Sequence, residues 1–335
     1  MNGWPCLRLG PLAIDFPVVQ AALAGYSDWP MRVVAVRLGA PFTFSEVTLE
    51  RFVREGTRRA RGKRLLRPTD DAPCGAQLMG EDNPALADAA VQLVRLGFDS
   101  IDLNFACPVR KVLGKNRGGH MMTDPLGAME VVARVREALP PRVPLTVKLR
   151  RGYDDTEQSV ERFWKLIDFC YAAGADAVTL HPRTVLQRYE GASDWSFLAK
   201  VKRHLGPRVL LGSGDLFTAE DCLRMIRETG VDGVTAARGA IGNPWIFQQA
   251  RALAAGLPWS PPTLAEQRAV IEEHYQLADA TYGPRRAGPI MRKFGIKYAR
   301  LHPQRQQVRD AFAAVREPGQ WRAVLGRWYG GKNST

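Results

Sequence analysis

The stretch IDLNFACPVRK (Ile101–Lys111) is an apolar run alternating around Asp102 and Asn104 that ends in Cys107-Pro108 and two cations, Arg110 and Lys111. A cysteine in that position has three roles open to it. It can pack at a strand end as a small hydrophobe, act as a nucleophile, or donate a proton. Other polar residues end similar runs. Gln77 sits in CGAQLM, Lys148 and Arg150 in PLTVKLR, and His181 and Arg183 in AVTLHPR. Ser213-Gly214-Asp215 follows RVLL, and Ala237-Arg238-Gly239 follows GVTA. The segment Ala22-Leu23-Ala24-Gly25 is small enough for a flat ring to approach its backbone. Any one of these has an ordinary explanation: Gln77 can satisfy backbone groups, and His181 can be a core histidine. The series is harder to explain by packing, because Lys148 or Asn104 buried without partners is costly. The set points to one site built from many strand ends.

The elements that must carry these residues read as eight strands: Pro17–Leu23, Phe42–Thr48, Cys74–Met79, Ser100–Ala106, Pro144–Arg150, Ala177–Arg183, Arg208–Gly214 and Gly233–Arg238. Several are almost wholly apolar, as parallel strands covered on both faces are. Helix-like segments lie between them. Asp124-Pro125 reads as an N-cap with proline in the first turn, and Gly97, Gly174 and Gly230 read as helix stops. RLGFDSI, AAGADAV and ETGVDGV share one form: helix end, Gly, Asp, strand. Eight βα units in roughly 240 residues predict a TIM (β/α)8 barrel, with a doubly wound sheet as the alternative. In a barrel, the strand ends above share the C-terminal rim.

The pattern breaks at the Pro-rich GLPWSPPT. Three units are expected: a barrel domain over 1–255, a linker over 256–263, and an all-α helical domain over 264–335. The last holds 13 Lys and Arg against 6 Asp and Glu, so +7 of the net +13 lies in its 72 residues. A second basic cluster is Arg58–Arg67. Charge concentrated in this way suits nucleic acid, with solvated surface as the plain alternative. Five scattered cysteines without a CxxC pair exclude a disulfide framework and fit a reducing cytoplasm. No metal-ligand spacing, signal peptide or membrane-length apolar run is present, and no obligate protein partner is implied. The Gly-containing ends of the last two strands suit a phosphate, and Arg238 adds charge. Lys148 and Gln77 could meet a ring edge, Lys148 stabilising negative charge there. FMN, with one phosphate and a flat ring, answers this description.

These motifs resemble those of the tRNA-dihydrouridine synthases. ALAGYSDWPMR is similar to the family's opening PMAGxTDxxFR, IDLNFACPVRKV to IDLNxGCPxxKV, and GKNRGGHMM to the Gly-rich loop that follows. LTVKLRRGYDD, VTLHPRT and NPWIF keep the family's order, and GPIMRKFGIKYAR resembles the basic helix of its bacterial B-type branch. The resemblance implies an enzyme in which NADPH (or NADH) reduces FMN and the flavin reduces a uridine of tRNA to 5,6-dihydrouridine. Cys107 would be the proton donor. Ala22, Leu23, Ala24, Gln77, Lys148, His181, Ser213, Gly214, Asp215, Ala237 and Arg238 would hold the cofactor. Asn104, Arg150 and Arg183 would meet the substrate base, and Arg292, Lys293 and Lys297 the RNA. Arg110 and Lys111 are expected to point to RNA and not to the sulfur. The chain departs from the family at Ala22, Ser213, Ala237 and Ala106, where the family has Pro, Asn, Gly and Gly. The competing readings are an FMN barrel oxidoreductase acting on rRNA or a small molecule, and a tRNA-binding protein that has lost catalysis.

Overall fold

The computed structural model describes residues 4–57, 62, 65–80 and 84–330. Eight parallel strands close on themselves: β3 (Val18–Gln20), β4 (Thr43–Phe44), β6 (Cys74–Met79), β7 (Ser100–Asn104), β8 (Leu145–Arg150), β9 (Ala177–His181), β10 (Val209–Gly212) and β11 (Gly233–Ala236). β11 pairs with β3, and β4 pairs with β6, so the sheet is a barrel and not the doubly wound alternative. Helices alternate with the strands outside it, from Trp29–Arg37 to Ile246–Ala254.

The repeated Gly-Asp-strand phrase has a structural cause. The glycines at 97, 174 and 230 have φ between 72° and 99°, a left-handed exit from each helix. The aspartates then reach across to the neighbouring strand. Asp99 accepts from Cys74 N at 2.8 Å, Asp176 from Leu145 N at 2.9 Å and Asp232 from Leu210 N at 2.8 Å. Each satisfies a backbone donor at or next to the start of a strand, pinning the barrel's N-terminal rim.

In the barrel and the segment before it, two features differ from the sequence expectation. A hairpin, β1 (Leu7–Leu9) and β2 (Leu12–Ile14), precedes the barrel. Its Leu7, Leu9 and Ile14 pack against Val19, Phe42, Ala177 and Leu211 and close the barrel floor. Three-residue strands are too short to show a period. The expected strand Phe42–Thr48 is also split, with β5 (Thr48–Leu49) pairing separately with the end of β6. Between the halves, Glu46 N bonds Ser27 O at 3.1 Å, which draws residues 45–47 toward the loop after β3.

Beyond Ala254, helices run over Leu264–Tyr282, Pro284–Tyr298, Arg305–Ala314 and Pro318–Tyr329. Thr263 and Glu266 form a capping box that starts the first of these. The expected helix through QVRDAFAAVREPGQW breaks at Val315–Glu317, where Val315 turns to extended backbone. Phe294, Phe312, Trp321 and Tyr329 bury the interior of this group. It also packs on the barrel. Tyr282 Oη donates to Asp28 at 2.7 Å, Arg37 pairs with Glu273, and Tyr26 meets Phe294 edge-on at 5.5 Å. Of the basic cluster Arg58–Arg67, only Arg67 carries a described charge. It stacks on Trp29 and pairs with Asp70, while Arg58, Arg59, Arg61, Lys63 and Arg64 lie outside the described residues. Among the described residues no helix is long and apolar enough to cross a membrane.

Gly242 (φ +70°) lets the chain approach the helical group, and a Cβ there would lie 2.4 Å from the Lys297 carbonyl carbon. Gly256 has nearly the same φ (+69°) with nothing within 4 Å. Both Gly→Ala substitutions incur the left-handed penalty of about 1–2 kcal/mol. Gly242→Ala should cost at least about 1 kcal/mol more by urea unfolding, because it also overpacks the contact. Equal losses would mean the approach is not tight.

Candidate active site

The C-terminal ends of the barrel strands surround a cavity of about 350 Å³, within the range of small-molecule sites. Every expected cofactor residue lines it: Ala22, Leu23 and Ala24 from the first strand end, Gln77, Lys148 and His181 from the middle strands, and Ser213, Gly214, Asp215, Ala237 and Arg238 from the last two. Asn104, Cys107 and Arg150 join them. This convergence follows from barrel closure and the period-two alternation of each strand.

Buried hydrogen bonds fix the floor of this half. Gln77 Nε2 donates to Asp102 at 2.6 Å and Thr146 Oγ1 donates to its other oxygen at 2.6 Å. Asn104 Nδ2 in turn donates to Gln77 Oε1 at 2.7 Å, so the chain of donors settles both amide orientations. Burial pushes Asp102 up and Lys148 down from their ordinary values, while each charge partly restores the other. Asp102 and Thr146 were not anticipated. The signal was there in Asp102, two residues from Asn104 and so on the same face.

Asn104 also builds the cysteine loop. Its Oδ1 accepts from Ala106 N and Cys107 N, both at 3.0 Å, ending the strand one turn before the thiol. Arg150 Nε donates to Ala106 O at 2.9 Å, and its Nη1 bonds the carbonyls of Thr184 and Arg188. Arg150 therefore ties the cysteine loop to the loop after β9. The Gly-rich loop supports it from behind. Arg117 pairs with buried Glu50 at 2.9 Å, and Gly119 N donates to Cys107 O at 3.0 Å. A Cβ on Gly118 would sit 2.8 Å from the Cys107 Cβ. Ala106 is not in a left-handed conformation, so its departure from glycine carries no backbone penalty.

Burial pushes the Cys107 thiol up, outweighing the Val109 N–H and the charges of Arg150 and Lys148, which favour thiolate. Arg110 and Lys111 are exposed and are not among the charges acting on the sulfur. His181 is pushed down to about 2, first by burial and then by Arg150, Lys148, Arg183 and Arg238. It is neutral at any working pH, and its Nε2 lies 3.1 Å from Arg183 Nη1, which makes Nε2 the acceptor and places the proton on Nδ1.

At the last two strand ends, a Cβ on Gly214 would fall 2.3 Å from Ser193 Oγ, and one on Gly239 would fall 2.1 Å from Leu216 O. Two arginines, Arg183 and Arg238, share Asp215 at 2.7 and 3.1 Å. Tyr189 and Phe217, both half exposed, flank the Arg238 guanidinium. Thr235 lines the cavity, and its buried Oγ1 has no partner among the described residues. Glycine cradles, surplus cations, an unpartnered hydroxyl and an apolar entry at Ala22–Ala24 fit a flat ring carrying an anionic group.

Four expected contacts sit elsewhere. Arg183 is buried outside the cavity lining, holding Asp215 and Gly191 O. Lys293 donates to Gly25 O and lies over Tyr26, clamping the helical group to the barrel. Arg292 and Lys297 are on the same helix, outside the cavity, with Lys297 exposed.

A closed parallel barrel whose C-terminal rim presents a phosphate-type cradle, a partly buried lysine and a thiol has the form of a flavin-type TIM-barrel oxidoreductase. The chain belongs to the dihydrouridine synthase family: the family model "Dihydrouridine synthase (Dus)" matches residues 19–326. A probable tRNA-dihydrouridine synthase of Mycobacterium tuberculosis is 33% identical over 96% of this chain and 85% of its own. The tRNA-dihydrouridine synthase B of Xanthomonas axonopodis pv. citri is 33% identical over 93% and 92%. Among solved structures, histamine dehydrogenase from Rhizobium sp. 4-9 superposes with a TM-score of 0.58 at 16% identity, over 82% of this chain. A 2-naphthoyl-CoA reductase complex gives 0.57 at 12%, over 77%. The chain spans about half the length of each, and they share its fold.

Iodoacetamide alkylation of Cys107 in a Cys6→Ser background should reach half its maximal rate above the ordinary thiol value of about 8.5. Lys148→Met should raise that midpoint further by removing a cation. A midpoint below the ordinary value would show that charge, not burial, governs the thiol.

Proposed function

We propose that the protein uses FMN and a nicotinamide cofactor, NADPH or NADH, to reduce specific uridines of tRNA to 5,6-dihydrouridine. The observation that carries this reading is a partly buried thiol, Cys107, lining a cavity suited to a flavin. Both curated relatives described above are named for tRNA. FMN supplies hydride at C6 of the base when bound. Cys107 then gives its proton to C5, where carbanion character develops, and solvent reprotonates the thiolate. That needs an acid, and a raised thiol pKa keeps Cys107 in the acid form at neutral pH. Lys148, partly buried at the cavity wall, would favour negative charge on the ring. Ala22–Ala24 would admit the ring, and Ser213, Gly214, Ala237 and Arg238 would receive the phosphate. Neutral His181, with a proton on Nδ1, can donate one hydrogen bond without adding charge.

The target base must leave its stack to reach the rim, at a cost of a few kcal/mol. Phosphate contacts along the exposed basic helix offset this cost, through Arg292 and Lys297. Lys293 contributes by fixing that helix to the loop after β3, in the place where the sequence suggested RNA contact.

Cys107→Ala should slow single-turnover uridine reduction by about 10²–10⁴-fold while leaving flavin reduction by the nicotinamide unchanged. Uridine reduction at the wild-type rate would remove Cys107 as the acid. Lys297→Glu should raise the KM for tRNA and reduce the salt slope of binding by about one unit. Dihydrouridine mapping of tRNA with and without the gene tests the reaction itself, since an unchanged tRNA would remove it.

A further inference from the structure

A further cation stands near the cradle. Arg300 follows the helix Pro284–Tyr298, in the short turn Ala299–Leu301. It is largely withdrawn from water, and burial alone pushes its guanidinium down to about 10. No carboxylate pairs with it among the described residues. Its hydrogen bonds go to two main-chain carbonyls of the barrel, Arg238 O at 3.3 Å and Gly239 O. A buried guanidinium without a counter-charge is costly, and such groups normally find an anion.

The two carbonyls belong to the turn after β11, which Ala240 N closes on Ala237 O at 3.0 Å. A trans peptide is planar, so its C=O and N–H point in opposite directions. Arg300 grips the oxygen of the Arg238–Gly239 peptide, and the N–H at the other end of that peptide, on Gly239, has no partner among the described residues. A donor pulling on the oxygen both polarises the N–H and fixes its direction. The neighbouring loop repeats the device: Trp195 Nε1 donates to Gly214 O at 3.1 Å. The local charges also count. Arg183 and Arg238 together face one carboxylate, Asp215, leaving one positive charge, and Arg300 brings a second. A phosphate monoester close to its dianionic form would balance both.

We propose that Arg300 is a positioning residue for the phosphate of the bound flavin, holding the Arg238–Gly239 peptide with its N–H presented and supplying the second positive charge. The proposal rests on the reading of the cavity as a flavin site. It links the helical group to the cofactor, because the residue that orients the barrel's phosphate turn comes from beyond residue 263.

The test compares FMN with riboflavin, which has the same ring and no phosphate, by fluorescence quenching on apo-protein. The expected result is that Arg300→Met and Arg300→Gln each weaken FMN binding by about tenfold or more and leave riboflavin within about twofold of wild type. Arg300→Lys should recover part of the preference by restoring charge without the fork. The riboflavin arm corrects each variant for its folded fraction. An unchanged FMN-to-riboflavin ratio in either neutral variant, or an equal fall for both ligands, would overturn the role. If the wild-type protein binds neither flavin, the flavin reading itself fails, which is a different result.

Discussion

The site depends on placing a lysine and a carboxylate together inside a closed barrel. Lys148 and Asp102 lie on neighbouring strands, β8 and β7, and burial disfavours the charged form of both. Either alone would be prohibitive there. Each charge partly offsets the other's burial, and Gln77 and Thr146 donate to Asp102 to complete a polar floor. The same network reaches Asn104, then the backbone of Cys107, so the thiol inherits its place from the floor. Replacing one member leaves its partners unsatisfied, which is why the group acts as a unit.

Charge then divides the cavity. On the Cys107 side, burial outweighs two nearby cations and the thiol stays protonated. On the β10–β11 side, arginines outnumber carboxylates and glycines open the backbone. The first half suits proton delivery to an uncharged base and the second suits an anion. His181 stands between them, kept neutral first by its burial and then by four nearby cations.

Much of this was legible in the sequence because it rests on alternation. Lys148 and Arg150, or Asp102 and Asn104, are two apart, and period two places each pair on one face of its strand. The Gly-Asp phrases marked the strand starts for a different reason, a left-handed helix exit followed by an acceptor for a strand-start N–H. What could not be read was the destination of long side chains. Arg183 resembles a substrate contact in HPRT, yet it lies outside the cavity lining and holds Asp215. Lys293 shares a helix with Arg292 and Lys297, and only the docked barrel shows that it reaches Gly25 O. The hairpin β1–β2 was missed because three residues cannot display a period. At the four family departures, Ala106 keeps an ordinary backbone, and Ala22, Ser213 and Ala237 all line the cavity.

The central claim is that Cys107 acts as an acid. The most direct measurement is the pH dependence of a single turnover, in which pre-reduced enzyme is mixed with tRNA and flavin reoxidation is followed from pH 6 to pH 10. With Cys107 as the acid, the rate is level through neutral pH and falls above the ordinary thiol value of about 8.5, as the acid form is lost. A rate that instead rises through that range would mean that the thiolate is the working form, and would contradict the account.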